Sequence, residues 1–173
     1  CYFHDNMKSC IFFEGALSNF LLIQSTFANI ATSSSEYMSV VDVRNANYAI
    51  INHCTFYNCQ AMNTDHAAIK LECDGLIANS VIVAPESHGA YRAIHVKDGW
   101  NVEAKNCLSF NYTKDSGGFR SAVKKVDCLM NTDPLFVDAV NGNFSFAVGS
   151  PALASGTNGT NMGDLRWNPS DVN

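Results

Sequence analysis

Proline is scarce, 4 in 173 residues, and charged side chains make up only 16% of the chain. No repeat holds a ten-residue helical pattern or a fixed Leu or Ala framework, which excludes leucine-rich, ankyrin and tetratricopeptide architectures. No apolar run reaches the roughly 18 residues of a membrane-spanning helix. There is no basic stripe, and net charge is −5, so a nucleic-acid partner is not expected. No Cys-x-x-Cys occurs, and seven cysteines cannot all pair internally. Cys54 and Cys59 have the wrong spacing for a zinc knuckle. The n-region and h-region of a secretory leader are absent. The chain begins at Cys1 rather than Met, so a processed product or a piece of a larger chain is expected.

What is present is repetition. Tyr48-Ala-Ile-Ile-Asn-His-Cys-Thr-Phe-Tyr-Asn-Cys59 returns as Phe20–Phe27, Gly75–Ile82, Trp100–Leu108 and Val123–Leu129. Its small residue falls at Ser25, Cys54, Ser80, Cys107 and Cys128, in steps of 29, 26, 27 and 21 residues. A second theme precedes most copies: Ile11-Phe-Phe-Glu14, Val41-Asp-Val-Arg44, Ile69-Lys-Leu-Glu72 and Ile94-His-Val-Lys97. These alternate apolar and other residues, the period of a half-buried strand. A near-constant step built of strands alone is a β-solenoid.

Equivalent residues then stack in columns. The small residues form one inward column, where the three cysteines read as packing. Cys107 and Cys128, on adjacent turns, could bridge if geometry allowed. A bulky inward column is Phe27, Phe56, Ile82, Leu108 or Phe110, and Met130. Gln24, His53, Asn79, Asn106 and Asp127 precede the small column and suit a turn whose side chains bond the next rung. Outward columns are Phe12/Asp42/Lys70/His95 and Glu14/Arg44/Glu72/Lys97. Asn141-Gly142 reads as a hairpin turn. Sequons at Asn111, Asn143 and Asn158 carry no weight in an Asn-rich chain.

From about Ile11 to Gly163 the chain resembles the pectin-lyase-like superfamily of right-handed parallel β-helices. Its tail carries Asp133-Pro-Leu-Phe-Val-Asp138, Gly149-Ser-Pro-Ala-Leu153 and Met162-Gly-Asp-Leu-Arg-Trp167. That tail resembles the closing segment of the C-terminal β-helix domain in secreted, Bacteroides-type polysaccharide-utilisation proteins. The expectation is an all-β, right-handed parallel β-helix of about five coils over residues 1–132. Residues 133–173 form an irregular closing segment of the same domain. No cap is visible before Ile11, so more chain or a partner is expected over that end. The resemblance implies a secreted, periplasmic or outer-surface location in a bacterium.

It also implies that the face of the first strands binds extended polysaccharide, acidic by preference. Candidate contacts are Tyr37, Asp42, Arg44, His66, Lys70, Glu72, Tyr91, Arg92, His95, Lys97, Phe119 and Arg120, which pair aromatics with cations. The plain alternative for the charged columns is a solvated sheet face. A polysaccharide lyase acting by β-elimination is the catalytic alternative. It needs a base at C5 and a cation against the carboxylate. Lys70, His95, Lys97 and Arg92 are its candidates, and Asp42 and Glu72 could hold Ca2+. Binding alone requires no cofactor. Hydrolysis would need aspartates on successive rungs, and only Asp42 lies on the outward columns. A purely structural solenoid or adhesin is the third reading.

Overall fold

β-Branched and aromatic residues in period 2 give seventeen short strands among the described residues. A computed structural model describes residues 1–6, 9–32, 39–61, 67–86 and 91–169. The strands are β1 (Tyr2–His4), β2 (Ile11–Glu14), β3 (Asn19–Ile23), β4 (Thr26–Thr32), β5 (Val41–Arg44) and β6 (Tyr48–Asn52). They continue as β7 (Thr55–Ala61), β8 (Ala67–Glu72), β9 (Gly75–Ala78), β10 (Val81–Val83), β11 (Arg92–Val96) and β12 (Val102–Lys105). The last are β13 (Leu108–Phe110), β14 (Val123–Val126), β15 (Leu129–Met130), β16 (Phe136–Asp138) and β17 (Asn143–Phe146). Helix is confined, among the described residues, to two three-residue 3-10 turns.

The protein is a parallel β-solenoid. Strands β2, β5, β8 and β11 make the first sheet; β3, β6, β9, β12 and β14 the second; β1, β4, β7, β10, β13 and β15 the third. Four turns carry all three strands. In the fifth, a single bridge from Phe119 to Ile94 replaces the first strand. Gly118 permits that shortcut: at φ +81 its backbone carbonyl meets the Ala93 N–H at 2.8 Å, and a Cβ there would lie 2.3 Å from Tyr112 Cβ.

Gln24, His53, Asn79, Asn106 and Asp127 are all left-handed, with φ between 44° and 51°. One such residue swings the chain from the second sheet to the third, which is why short polar side chains recur there. A second left-handed column, Asp5/Asn29/Asn58, bends the third-sheet strands, and Asn58 donates to Asn29 at 2.9 Å.

The small column is inward as expected. Its cysteines are free thiols, and each donates to a carbonyl one turn below: Cys54 to Leu22, Cys107 to Ile77, Cys128 to Ala104. Burial pushes the Cys54 thiol up to about 12, so it stays protonated and packs. Cys54→Leu should cost about 1–3 kcal/mol by overpacking. Cys54→Ser should cost less, because Ser25 and Ser80 already fill equivalent positions. Urea midpoints of the two variants check this; equal losses would place Cys54 elsewhere.

In the bulky column, Phe3, Phe27 and Phe56 stack nearly parallel, with centroids 4.8 and 4.7 Å apart. Above them the expectation needs correction. Ser109, not Leu108 or Phe110, is in register with Ile82 and Met130. Leu108 faces out, with Val81, Val83 and Tyr57, into a second apolar cluster formed with Phe144, Ala152 and Met162.

That cluster exists because of the tail. Hairpin β16–β17, closed through Gly142 at φ 83, packs on the outer side of the third sheet. The chain then runs back along the left-handed turns. Ser155 O accepts from Asn106 (2.9 Å), Thr157 N–H donates to Asn79 (2.8 Å), and Asp164 N–H donates to Thr55 (2.9 Å). Asp164 accepts from Thr26 at 2.7 Å, and Trp167 Nε1 donates to Thr26 at 2.9 Å. The tail is thus a strap from the fourth turn down to the first. Trp167 packs against the body, edge-on to Tyr2 and Phe144.

Candidate functional site

The first sheet presents the two outward columns in the expected register. Phe12, Asp42, Lys70 and His95 are successive partners, as are Glu14, Arg44 and Glu72. Lys97 continues the second column from the end of β11, its N–H on Leu71 O at 3.1 Å.

Exposure departs from a plain solvated face. Asp42, Lys70 and His95 point away from the core, yet they are 0, 8 and 5% exposed. Charges buried in this way must be paired, and they are. Arg44 grips Asp42 with Nε and Nη2, both at 2.9 Å, which raises the Arg44 pKa. Glu72 takes Lys70 and Lys97 at 2.9 Å each. Burial alone would raise the Glu72 pKa; the two ammonium groups outweigh it and hold the carboxyl at about 2. Arg44 also lies 5.2 Å from the Phe12 ring centroid, a cation over an aromatic face.

The flanking residues complete the same pattern. Tyr91 is half-buried just before β11. Arg92 pairs with Asp115. Arg120 reaches Val96 O, lies 3.2 Å from His95 Nε2, and pairs with Asp98 at 2.9 Å. Phe119 does not flank the face. It is fully buried in the core, because the bridge to Ile94 turns it inward in place of a strand. Tyr37 and His66 lie outside the described residues.

The arrangement brings Arg44, Lys70, Glu72 and Lys97 into one network on three turns. Asp42 and Glu72, offered as cation ligands, have their oxygens on Arg44 and on two lysines. Among the described residues no three His, Cys, Asp or Glu side chains gather as a metal site. The accessible part of the face is its rim: Phe12 at 45% exposure, Glu14, and Lys97, whose side chain is 62% exposed. No family model, curated protein or solved structure matches the chain.

Proposed function

We propose that the chain is a non-catalytic polysaccharide-binding module of pectin-lyase-like β-helix type, secreted or displayed at a bacterial surface. An acidic glycan runs along the rim of its first sheet. The observation that carries this reading is the pairing of Lys97 with Glu72 beside the Arg44–Phe12 stack, on neighbouring turns. Only the Lys97 end of this pair is open to solvent, and Glu72 keeps Lys70 at 2.9 Å, so a uronate can share the Lys97 ammonium without stranding the Glu72 carboxylate. The Arg44 guanidinium and Phe12 ring sit alongside to meet a carboxylate and a sugar face.

The same geometry weighs against the lyase alternative. Lys70 is closed in on Glu72, Arg92 is held by Asp115, and His95 is buried beside the Arg120 guanidinium. Of the four candidates only Lys97 is open to solvent, with its side chain 62% exposed, and its ammonium is held by Glu72 at 2.9 Å.

Affinity electrophoresis with polygalacturonate, alginate and chondroitin tests the proposal, with and without Ca2+. Retardation should occur without growth of ultraviolet absorbance from unsaturated uronate, and should weaken as salt rises. Lys97→Ala and Arg44→Ala should each weaken it several-fold, about 1 kcal/mol. Arg92→Ala should matter less: both guanidinium groups are carboxylate-paired, but the Arg92 side chain is 13% exposed against 27% for Arg44. Product formation would select the lyase, and indifference of every glycan to Lys97→Ala and Arg44→Ala would leave the structural solenoid.

A further inference from the structure

The outer face of the second sheet carries a feature the sequence reading passed over. Its outward residues form two adjacent columns. The first holds Tyr48, Asp74, Asn101 and Ala122, each one residue before the in-register set Ala49, Gly75, Val102 and Val123. The second holds Ile50, Leu76, Glu103 and Lys124. Between them, across four turns, lies a depression of about 310 Å³ that has Tyr48, Asp74, Asn101, Glu103, Ala122 and Lys124 in its lining.

We infer that this depression is a binding groove for a neutral oligosaccharide lying along the solenoid axis, separate from the first-sheet face. Its chemistry is that of hydroxyl recognition. Tyr48, 41% exposed, offers a ring at one end, and Ile50 and Leu76 continue an apolar strip for the C–H face of a sugar. Asp74 Oδ1 accepts from the Asn101 backbone N–H at 2.7 Å and from its amide at 3.4 Å. That fixes the carboxylate and leaves Oδ2 without a partner among the described residues, as an acceptor for hydroxyls. Glu103 and Lys124 pair at 2.7 Å at the other end and supply further acceptors and donors.

Charge selects the ligand. Two carboxylates face one ammonium, so the groove repels a polyuronate. Spacing agrees: successive turns are about 4.8 Å apart, close to the length of one pyranose unit, so each sugar meets an equivalent pair of positions. Ala122, the smallest residue of its column, leaves the far end open.

Calorimetric titration of the chain with cellohexaose, xylohexaose and mannohexaose tests this. At least one should bind saturably. Tyr48→Ala should weaken that binding about tenfold, the loss expected for an aromatic platform. Asp74→Asn should weaken it several-fold, and Ala122→Trp should abolish it by filling the groove. Ala122 is exposed, so the tryptophan variant should keep its urea midpoint; should it not, Tyr48→Ala decides. Lys97→Ala, on the rim of the first sheet, should leave neutral-sugar binding untouched, which separates this groove from the first-sheet face. Absence of binding by all three oligosaccharides overturns the inference. So does binding that survives both Tyr48→Ala and Ala122→Trp.

Discussion

Phe56→Ala should lower stability by about 3–5 kcal/mol, the range for truncating a fully buried phenylalanine. Phe56 is completely buried, and its ring lies face to face with Phe27, which stacks in turn on Phe3. In a globular core neighbouring side chains relax into part of such a cavity. Here the neighbours below and above, Phe27 and Ile82, are fixed by strand pairing at the turn spacing, as the direct partners of Phe56 on β4 and β10. The gap therefore stays open and the upper end of the range applies. The control is Phe12→Ala on the rim of the first sheet, where 45% exposure and one guanidinium contact set the loss below about 1 kcal/mol. Urea denaturation of both variants measures the difference; similar losses would mean that the aromatic stack is not the backbone of the core.

That stack was legible because Phe27 and Phe56 each follow a Thr two residues past the left-handed turn, so repeat alignment alone puts the rings in one column. The first sheet shows why legibility holds: Ile11, Phe13, Val41, Val43, Ile69 and Leu71 alternate with charged or aromatic partners, and only one register puts the former inside. The third sheet shows why it fails. Val81, Ile82 and Val83 are all buried, the first and third under the returning tail. With both faces apolar, alternation carries no sign, and Leu108 and Phe110 were as plausible inward as Ser109. The covering element lies some 35 residues further along the chain, out of reach of any local pattern.

The candidate sites divide in the same way. The columns Phe12/Asp42/Lys70/His95 and Glu14/Arg44/Glu72/Lys97 follow from repeat alignment alone. Their pairing and burial do not, because these depend on side-chain rotamers and on what lies over the sheet. Phe119 was read as a flanking aromatic because repeat alignment assumes a complete fifth turn; the Gly117-Gly118 shortcut removed the strand and pulled the ring inward. Tyr48, Asp74, Asn101 and Lys124 come from four turns; the first three read locally as turn or strand-end residues and Lys124 as a solvated strand residue. Only stacking brings them together, and the signal was the outward parity of the first theme and of the residue before it, which the repeat alignment already contained.

The Glu72 network carries the second large effect, with a pH signature. Glu72 binds Lys70 and Lys97 at 2.9 Å and lies 3.8 Å from Arg44 Nε. Its carboxyl is held at about 2 against an ordinary 4.5. At about 1.4 kcal/mol for each pH unit, that depression is worth about 3 kcal/mol. Solvent reaching the exposed Lys97 side of the network screens it to about 1–2 kcal/mol. The sign is that of a depressed acid. The contribution is complete above the unfolded value near 4.5 and is lost as pH falls from there towards 2. Glu72→Gln removes it at every pH and strands the Lys70 ammonium, whose side chain is 10% exposed. Loss of one partner of a buried pair costs about 3–5 kcal/mol; the long Lys70 stem reaching for water brings this to about 2 kcal/mol. Urea midpoints measured from pH 7 to pH 2.5 should therefore converge: the wild-type chain falls towards the Glu72→Gln variant as Glu72 takes up its proton. Two curves that stay parallel through that window would show that the Lys70–Glu72–Lys97 network contributes nothing to holding the first sheet.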